Sequence, residues 1–200
     1  MTLNTSPISP EAQRPVLNLV GDSVALGPLR SDLVADLYRW YNDFATDRKR
    51  GTAPKPRTLE EIAELYFPTT PSPREAWFTI YERGLWRPIG LTWLSEISIS
   101  DRTATYGVFI GELDARGRGL GTEATRLMLE YAFNELGLHS VMLIVAAFNH
   151  AASRAYSKAG FREFGRRRES YRLSDGVHDD VYMECLATEY TPMSKVDDAG

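Results

Sequence analysis

Cysteine is almost absent from this 200-residue chain: Cys185 stands alone. One thiol excludes an internal disulfide and a multi-cysteine metal centre, so no metal site is expected. Long apolar runs are also lacking. No stretch approaches the roughly 18 apolar residues that a membrane-spanning helix needs. The amino terminus, MTLNTSPISPEAQRP, has no basic region followed by an apolar core, so it does not resemble a secretory signal. These absences make the cytoplasm the expected compartment. Positive charge is not in excess either. The formal net charge is −4, which argues against nucleic acid as the main partner, because phosphate backbones reward basic surfaces.

What remains is ordinary globular composition, 43% hydrophobic and 25% charged, enough for one domain. Residues 1–13 and 191–200 are polar and expected to be disordered, leaving a domain over 14–190. Val16 to Val20 and Ser23 to Leu29 alternate around Gly21-Asp22 and read as a hairpin. Ser31 is expected to cap a helix reaching Phe44. Thr46 to Arg57 is basic and broken by prolines, hence a loop. Thr58-Leu59-Glu60-Glu61 reads as a capping box opening a short helix to Phe67. A meander follows over Ala76–Arg83, Pro88–Glu96 and Arg102–Gly111. Thr122 to Leu136 carries a helical stripe of Ala124, Leu127, Met128, Tyr131 and Leu136, closed by Gly137. Val141 to Ala147 is a continuous apolar strand, and a helix runs from Asn149 or His150 to Gly160. Two long strands, Arg162–Leu173 and Val177–Ala187, are joined by Ser174-Asp175-Gly176. The class is mixed α/β, and its centre is a βαβ unit whose two strands should lie parallel.

Between the first of those strands and its helix stands Arg116-Gly117-Arg118-Gly119-Leu120-Gly121. A tight loop before a helix presents backbone N–H groups with no intrahelical partner, at the positive end of the helix dipole. Glycines let such a backbone turn sharply and approach a bulky anion. That is the physics of a phosphate cradle, to which Arg116, Arg118 and the Thr122 hydroxyl would add donors. No Lys-Ser or Lys-Thr follows, so it is not a P-loop. The spacing G-x-G-x-G is not the dinucleotide fingerprint. A plain flexible turn is the alternative.

The run matches [Q/R]-x-x-G-x-[G/A], the pyrophosphate-binding signature of the GNAT acetyltransferases. FNHAASRAYSKAGF, Phe148 to Phe161, resembles that family's second signature. DLYRWYNDFATDR and DGVHDDVYM resemble the branch holding ribosomal-protein alanine, spermidine and amino-sugar acetyltransferases. The resemblance covers Gly21 to about Leu186. It implies a single twisted, mostly antiparallel sheet splayed at the parallel pair, with acetyl-CoA as cosubstrate. It implies direct acetyl transfer to a primary amine. The acceptor would be a small molecule or, alternatively, a protein N-terminus, and a homodimer is possible.

By the same resemblance, Phe109, Ile110 and Gly111 would bond the pantetheine arm as an added strand. Gly117 to Thr122 would hold the pyrophosphate, with Arg116 and Arg118 beside it. Asn149 would bind pantetheine, although it is equally suited to capping a helix. Tyr156 would protonate the leaving thiolate, although a core tyrosine could occupy that place. Arg154 and Lys158 could meet the 3′-phosphate or face water. No base stands out. Thr105, Tyr106 and Ile144 fill the places where a carboxylate would help. Glu96 is expected near Thr103, roughly 13 Å from Gly107. Glu112 fits the helix dipole better. Asp43, Asp47, His178 and Asp179 could reach over the cleft, or water could serve. The missing strand carboxylate keeps a non-catalytic acyl-CoA-binding module open. Arg166-Arg167-Arg168 could suggest RNA, but alternate strand residues face opposite ways and form no single basic face.

Overall fold

The computed structural model describes residues 15–45, 55–68, 70–173 and 176–192. Eight strands form one open sheet in the order β1-β2-β3-β4-β5-β6-β8-β7. They are β1 Leu19–Val20, β2 Val24–Pro28, β3 Ala76–Glu82, β4 Arg87–Ser98, β5 Thr103–Ile110, β6 Ser140–Ala146, β7 Arg162–Leu173 and β8 Gly176–Leu186. Among the described residues, the α-helices that accompany them are α1 Val34–Tyr41, α2 Leu59–Tyr66, α3 Leu120–Glu130 and α4 His150–Ala159. Every neighbouring pair is antiparallel except β5 and β6, the parallel strands flanking α3. The mixed α/β sheet expected from the sequence is therefore present.

Each face of the sheet carries its own core. On one face, the helical stripe Ala124, Leu127 and Met128 packs with Tyr106, Val141, Leu143, Tyr156 and Phe161. On the other, Leu37, Trp40 and Tyr41 of α1 and Ile62 and Tyr66 of α2 pack with Leu91 and Phe109. Strand alternation explains the division, since Tyr106 and Phe109 lie on opposite sides of β5.

Local chemistry sets several boundaries. Thr58 Oγ1 accepts from the Glu61 N–H at 3.1 Å, and Glu61 returns a bond to the Thr58 N–H at 3.0 Å, completing the capping box. Ser31 does not cap α1 with its side chain. It opens a 3₁₀ turn, and the α-helix begins at Val34. The helix after the glycine loop begins at Leu120, two residues before the expected Thr122, and passes into a π turn over Tyr131–Glu135. Gly137 follows in a left-handed conformation, φ +63°. Residues 1–14, 46–54, 69, 174–175 and 193–200 lie outside the description. The expected disordered tail over 1–13, most of that over 191–200, most of the Thr46–Arg57 loop and the Ser174-Asp175 turn fall there.

A cleft between parted strands

β5 and β6 pair at only three positions: Thr103 with Ser140, Ala104 with Val141 and Thr105 with Met142. Beyond Thr105 the strands separate, and a cleft of about 750 Å³ opens between them. It is lined by Tyr106 to Ile110 on one strand and Ile144 to Ala146 on the other. At one end are Gly117, Gly119, Gly121 and Thr122. At the other are residues of α1, α2, β3 and β4, on the opposite face of the sheet. The cleft thus passes through the sheet from the glycine loop to the aromatic face.

The parted edge leaves backbone groups of β5 without a strand partner. In a sheet, successive residues aim their N–H and C=O to opposite sides. The Gly111 N–H donates to Ile89 O at 2.8 Å, so Gly111, and by alternation Phe109 and Gly107, faces β4. Arg102 O accepts from the Ser140 N–H, so the even-numbered residues face β6. Val108 and Ile110 therefore present their N–H groups to the cleft. By the same alternation the Phe109 and Gly111 N–H groups point to β4, and Gly111 is not among the residues that line the cleft. Arg116 already fills the carbonyl side, with its guanidinium donating to Ile110 O at 2.9 Å and Gly111 O at 3.1 Å.

The glycine loop has the form of a cradle. Gly117 and Gly119 have φ of +73° and +85°, left-handed values that side chains disfavour. A Cβ built on either would meet nothing within 4 Å, so the loop stands open where a ligand would approach. Gly119 is the N-cap of α3 and supplies no side-chain cap to the helix's first N–H groups. Leu120 is buried and serves the core, while the neighbouring Gly121 and Thr122 line the cleft. Arg118 has a protein partner. Its guanidinium pairs at 2.5 Å with buried Glu82, whose other oxygen accepts from Arg87 at 2.9 Å. Arg87 in turn reaches Asp114, ahead of the loop. Arg118 holds the Glu82 carboxyl below its usual range, with Arg87 adding to the effect despite opposing burial. This chain of charges fastens the loop to β3 and β4.

Tyr156 stands on α4 with its ring in the core, edge-on to Tyr106 at 6.3 Å and to Phe161 at 6.0 Å, and it lines the cleft. Burial pushes its hydroxyl up to about 12, so it keeps its proton at neutral pH. Asn149 caps α4, accepting from the Ala152 N–H at 3.2 Å, and also lines the cleft, so the cap and a ligand contact are compatible. Cys185 is fully buried, and burial raises its thiol to about 11, far from the reactive range. Arg154 and Lys158 are exposed on α4.

The candidate bases scatter. Glu112 does not serve the helix. It accepts from Arg39 and, at 3.1 Å, from Trp40 Nε1, and Arg39 is the main cause of its lowered pKa. Asp43 accepts from the Ala45 N–H, Asp179 from the Glu169 N–H, and His178 lies against Phe148. Asp47 lies outside the described residues. Glu96 sits in a β-bulge at φ +53°, which carries its carboxylate to the Thr105 hydroxyl at 2.7 Å. That is two residues along β5 nearer the cleft than the expected position beside Thr103. None of the described carboxylates lines the cleft. Arg166 pairs with Glu163 on an exposed strand.

Residues 24–162 match the family model for an acetyltransferase (GNAT) domain. The chain belongs to the GNAT acetyltransferase family. It is 38% identical over 79 residues to the probable N-acetyltransferase YjcK of Bacillus subtilis, a match spanning 40% of this chain and 42% of that relative. The spermidine N(1)-acetyltransferase of Escherichia coli K12 is 26% identical over 168 residues, 84% of this chain and 88% of the relative. A crystal structure of spermidine N-acetyltransferase from Vibrio cholerae, in complex with CoA and spermine, superposes with a TM-score of 0.76. It is 25% identical and covers 84% of this chain and 98% of that one. In this GNAT domain, the sequence signals missed the Val108 N–H, whose direction depends on strand parity, and Glu82, which lies 36 residues from its partner Arg118.

Proposed function

We propose that this protein transfers an acetyl group from acetyl-CoA directly to the primary amine of a small molecule. The observation that carries the reading is the parted pair β5 and β6, which joins an open glycine cradle to a buried, protonated tyrosine. Acetyl-CoA is the cosubstrate these features fit. Gly117, Gly119, Gly121 and the N-terminus of α3 would receive its pyrophosphate. Val108 and Ile110 would bond its pantetheine arm as a strand would, with Asn149 opposite.

When bound, acetyl-CoA supplies a thioester whose carbon–sulfur bond breaks as the amine nitrogen bonds to the acyl carbon. The N–H of Val108 or Ile110 would stabilise the negative charge that grows on the acyl oxygen. Tyr156 would hold a hydrogen bond to the departing sulfur and pass its proton there, regaining one from the amine. The proton count closes, because the nitrogen loses one and the thiol gains one. Held near 12, Tyr156 is a poor free acid beside a thiol of about 8.5, so its proton moves only as it is replaced. The amine must arrive neutral, and cleft water takes its first proton. The reading includes a cytoplasmic setting and a homodimer, both drawn from the sequence expectations. Among the described residues no helix is long and apolar enough to cross a membrane.

The test is thermal unfolding with acetyl-CoA, CoA, and NAD or ATP as controls. Ligand at about 100 times its Kd should add roughly 2.7 kcal/mol. For a chain of this size that raises Tm by about 5–10 °C. Thiol release with an amine panel follows. No shift with either CoA species would overturn the reading.

A further inference from the structure

The acceptor end of the cleft has a chemistry of its own. Among the described residues, Tyr41, Arg57, Leu65, Tyr66, Trp77 and Trp93 line it. The two indoles stack with centroids 4.8 Å apart and planes 18° from parallel, and Tyr66 meets Trp77 edge-on at 5.4 Å. Their polar atoms are largely engaged. Trp77 Nε1 donates to Glu75 at 2.8 Å, and the Tyr66 hydroxyl donates to that of Tyr41. The wall therefore offers mainly carbon and π surface. Among the described residues, no aspartate or glutamate lines the cleft.

The backbone that carries the cation at this end is held in place. The Asn42 side chain, at the end of α1, grips the Arg57 backbone on both sides. Its Oδ1 accepts from the Arg57 N–H at 3.0 Å, and its Nδ2 donates to Arg57 O at 3.1 Å. That clamp holds the start of α2 against α1 and sets Arg57 beside the aromatic wall. A polyamine brings two or more ammonium groups, which a guanidinium at the same end of the cleft repels. This wall instead sets a guanidinium, the side chain best suited to a planar anion, next to surface suited to a flat ring.

We propose that the acceptor is a small primary amine with a flat apolar body and a carboxylate, and that Arg57 reads the carboxylate. The inference rests on the acetyl-transfer reading and narrows its substrate. The aromatic wall holds the body, Arg57 holds the anion, and the amine is left to face β5 where the strands part.

The test uses the full chain, saturating acetyl-CoA and thiol release. The probes are phenylalanine, phenethylamine, which lacks the carboxylate, phenylalaninamide, which neutralises it, and spermidine. The wild type should favour phenylalanine over both uncharged analogues through KM. Arg57→Gln should lose about 10- to 100-fold in kcat/KM for phenylalanine, the scale of one charge-assisted bond, and little for phenethylamine. Arg57→Lys should recover part of the loss. Stabilisation by CoA should be the same in all three proteins, which reports folding and the cosubstrate site separately. Equal turnover of the matched analogues, a preference for spermidine, or an equal loss on all amines in Arg57→Gln would overturn the inference while leaving acetyl transfer intact. No stabilisation by CoA and no thiol release with any amine would overturn both.

Discussion

Replacing Gly107 with alanine should damage the acceptor end of the cleft and spare the cosubstrate end. Gly107 pairs with Trp93 across β4 and β5, and the indole lies over it. A Cβ at this position would stand 2.2 Å from Trp93 Cε2 and Cζ2 and 2.8 Å from Cη2. Carbon contacts settle at about 3.5–4.0 Å, so the ring must retreat by roughly 1.5 Å. Trp77 is stacked against it, so the retreat displaces one indole or separates both. Overpacking of this kind costs about 1–3 kcal/mol, and losing an aromatic pair about 0.5–1.5 kcal/mol more. The lower entropy of the unfolded alanine chain returns about 0.4–1 kcal/mol. The net loss is roughly 1–3 kcal/mol, or a Tm lower by about 3–10 °C. Urea unfolding should give the loss, and near-ultraviolet circular dichroism should show the indole pair changed. Acceptor KM should rise while the thermal shift with CoA persists. A Tm within a degree of wild type, with an unaltered near-ultraviolet spectrum, would refute the placement of Trp93.

Three further outcomes follow from other parts of the molecule. Tyr156→Phe should lower kcat by about 100-fold or more while leaving the CoA shift intact, measured by thiol release beside thermal unfolding; unchanged kcat would remove Tyr156 from the chemistry. Gly119→Val forces a β-branched residue to φ +85° and should weaken CoA binding by at least tenfold in calorimetry, because both the turn and the open cradle are lost. Glu82 has a lowered pKa, so its contribution is present above the unfolded value near 4.3 and disappears as pH falls through the lower folded value. Glu82→Gln should therefore show a smaller loss of Tm between pH 5 and pH 3 than wild type; parallel acid limbs would contradict the clamp.

Much of this could be read from the chain because its signals are local. The Thr58–Glu61 box, the helical stripe of α3 and the apolar run of β6 each declare themselves within a dozen residues. So did the glycines at 117 and 119, where left-handed backbone was needed. What escaped depends on register or distance. The separation of β5 from β6 begins at Thr105, and no residue there announces that pairing stops. Parity then decides that Val108, and not Phe109 or Gly111, offers its N–H to the cleft. The bulge at Glu96 moved that carboxylate to Thr105 against a count based on regular strands. The ion pair of Arg118 was not foreseen, because its partner, Glu82, lies on a strand the local sequence cannot bring near. Glu112 was drawn to α1 by Arg39 and Trp40 for the same reason.

The three-residue pairing of β5 with β6 has a mechanical consequence. It makes the sheet two stiff panels, β1 to β5 and β6-β8-β7, stitched at one end only. Along the unstitched length, a bound strand-like arm would act as a batten, bonded to one panel and wedged against the other. Rigidity should then rise most along the seam, where Tyr106 to Ile110 and Ile144 to Ala146 should gain more amide-exchange protection than either panel's interior. In such a body a bound arm would be a structural member while it is present, and its departure would loosen the frame that must admit the next one.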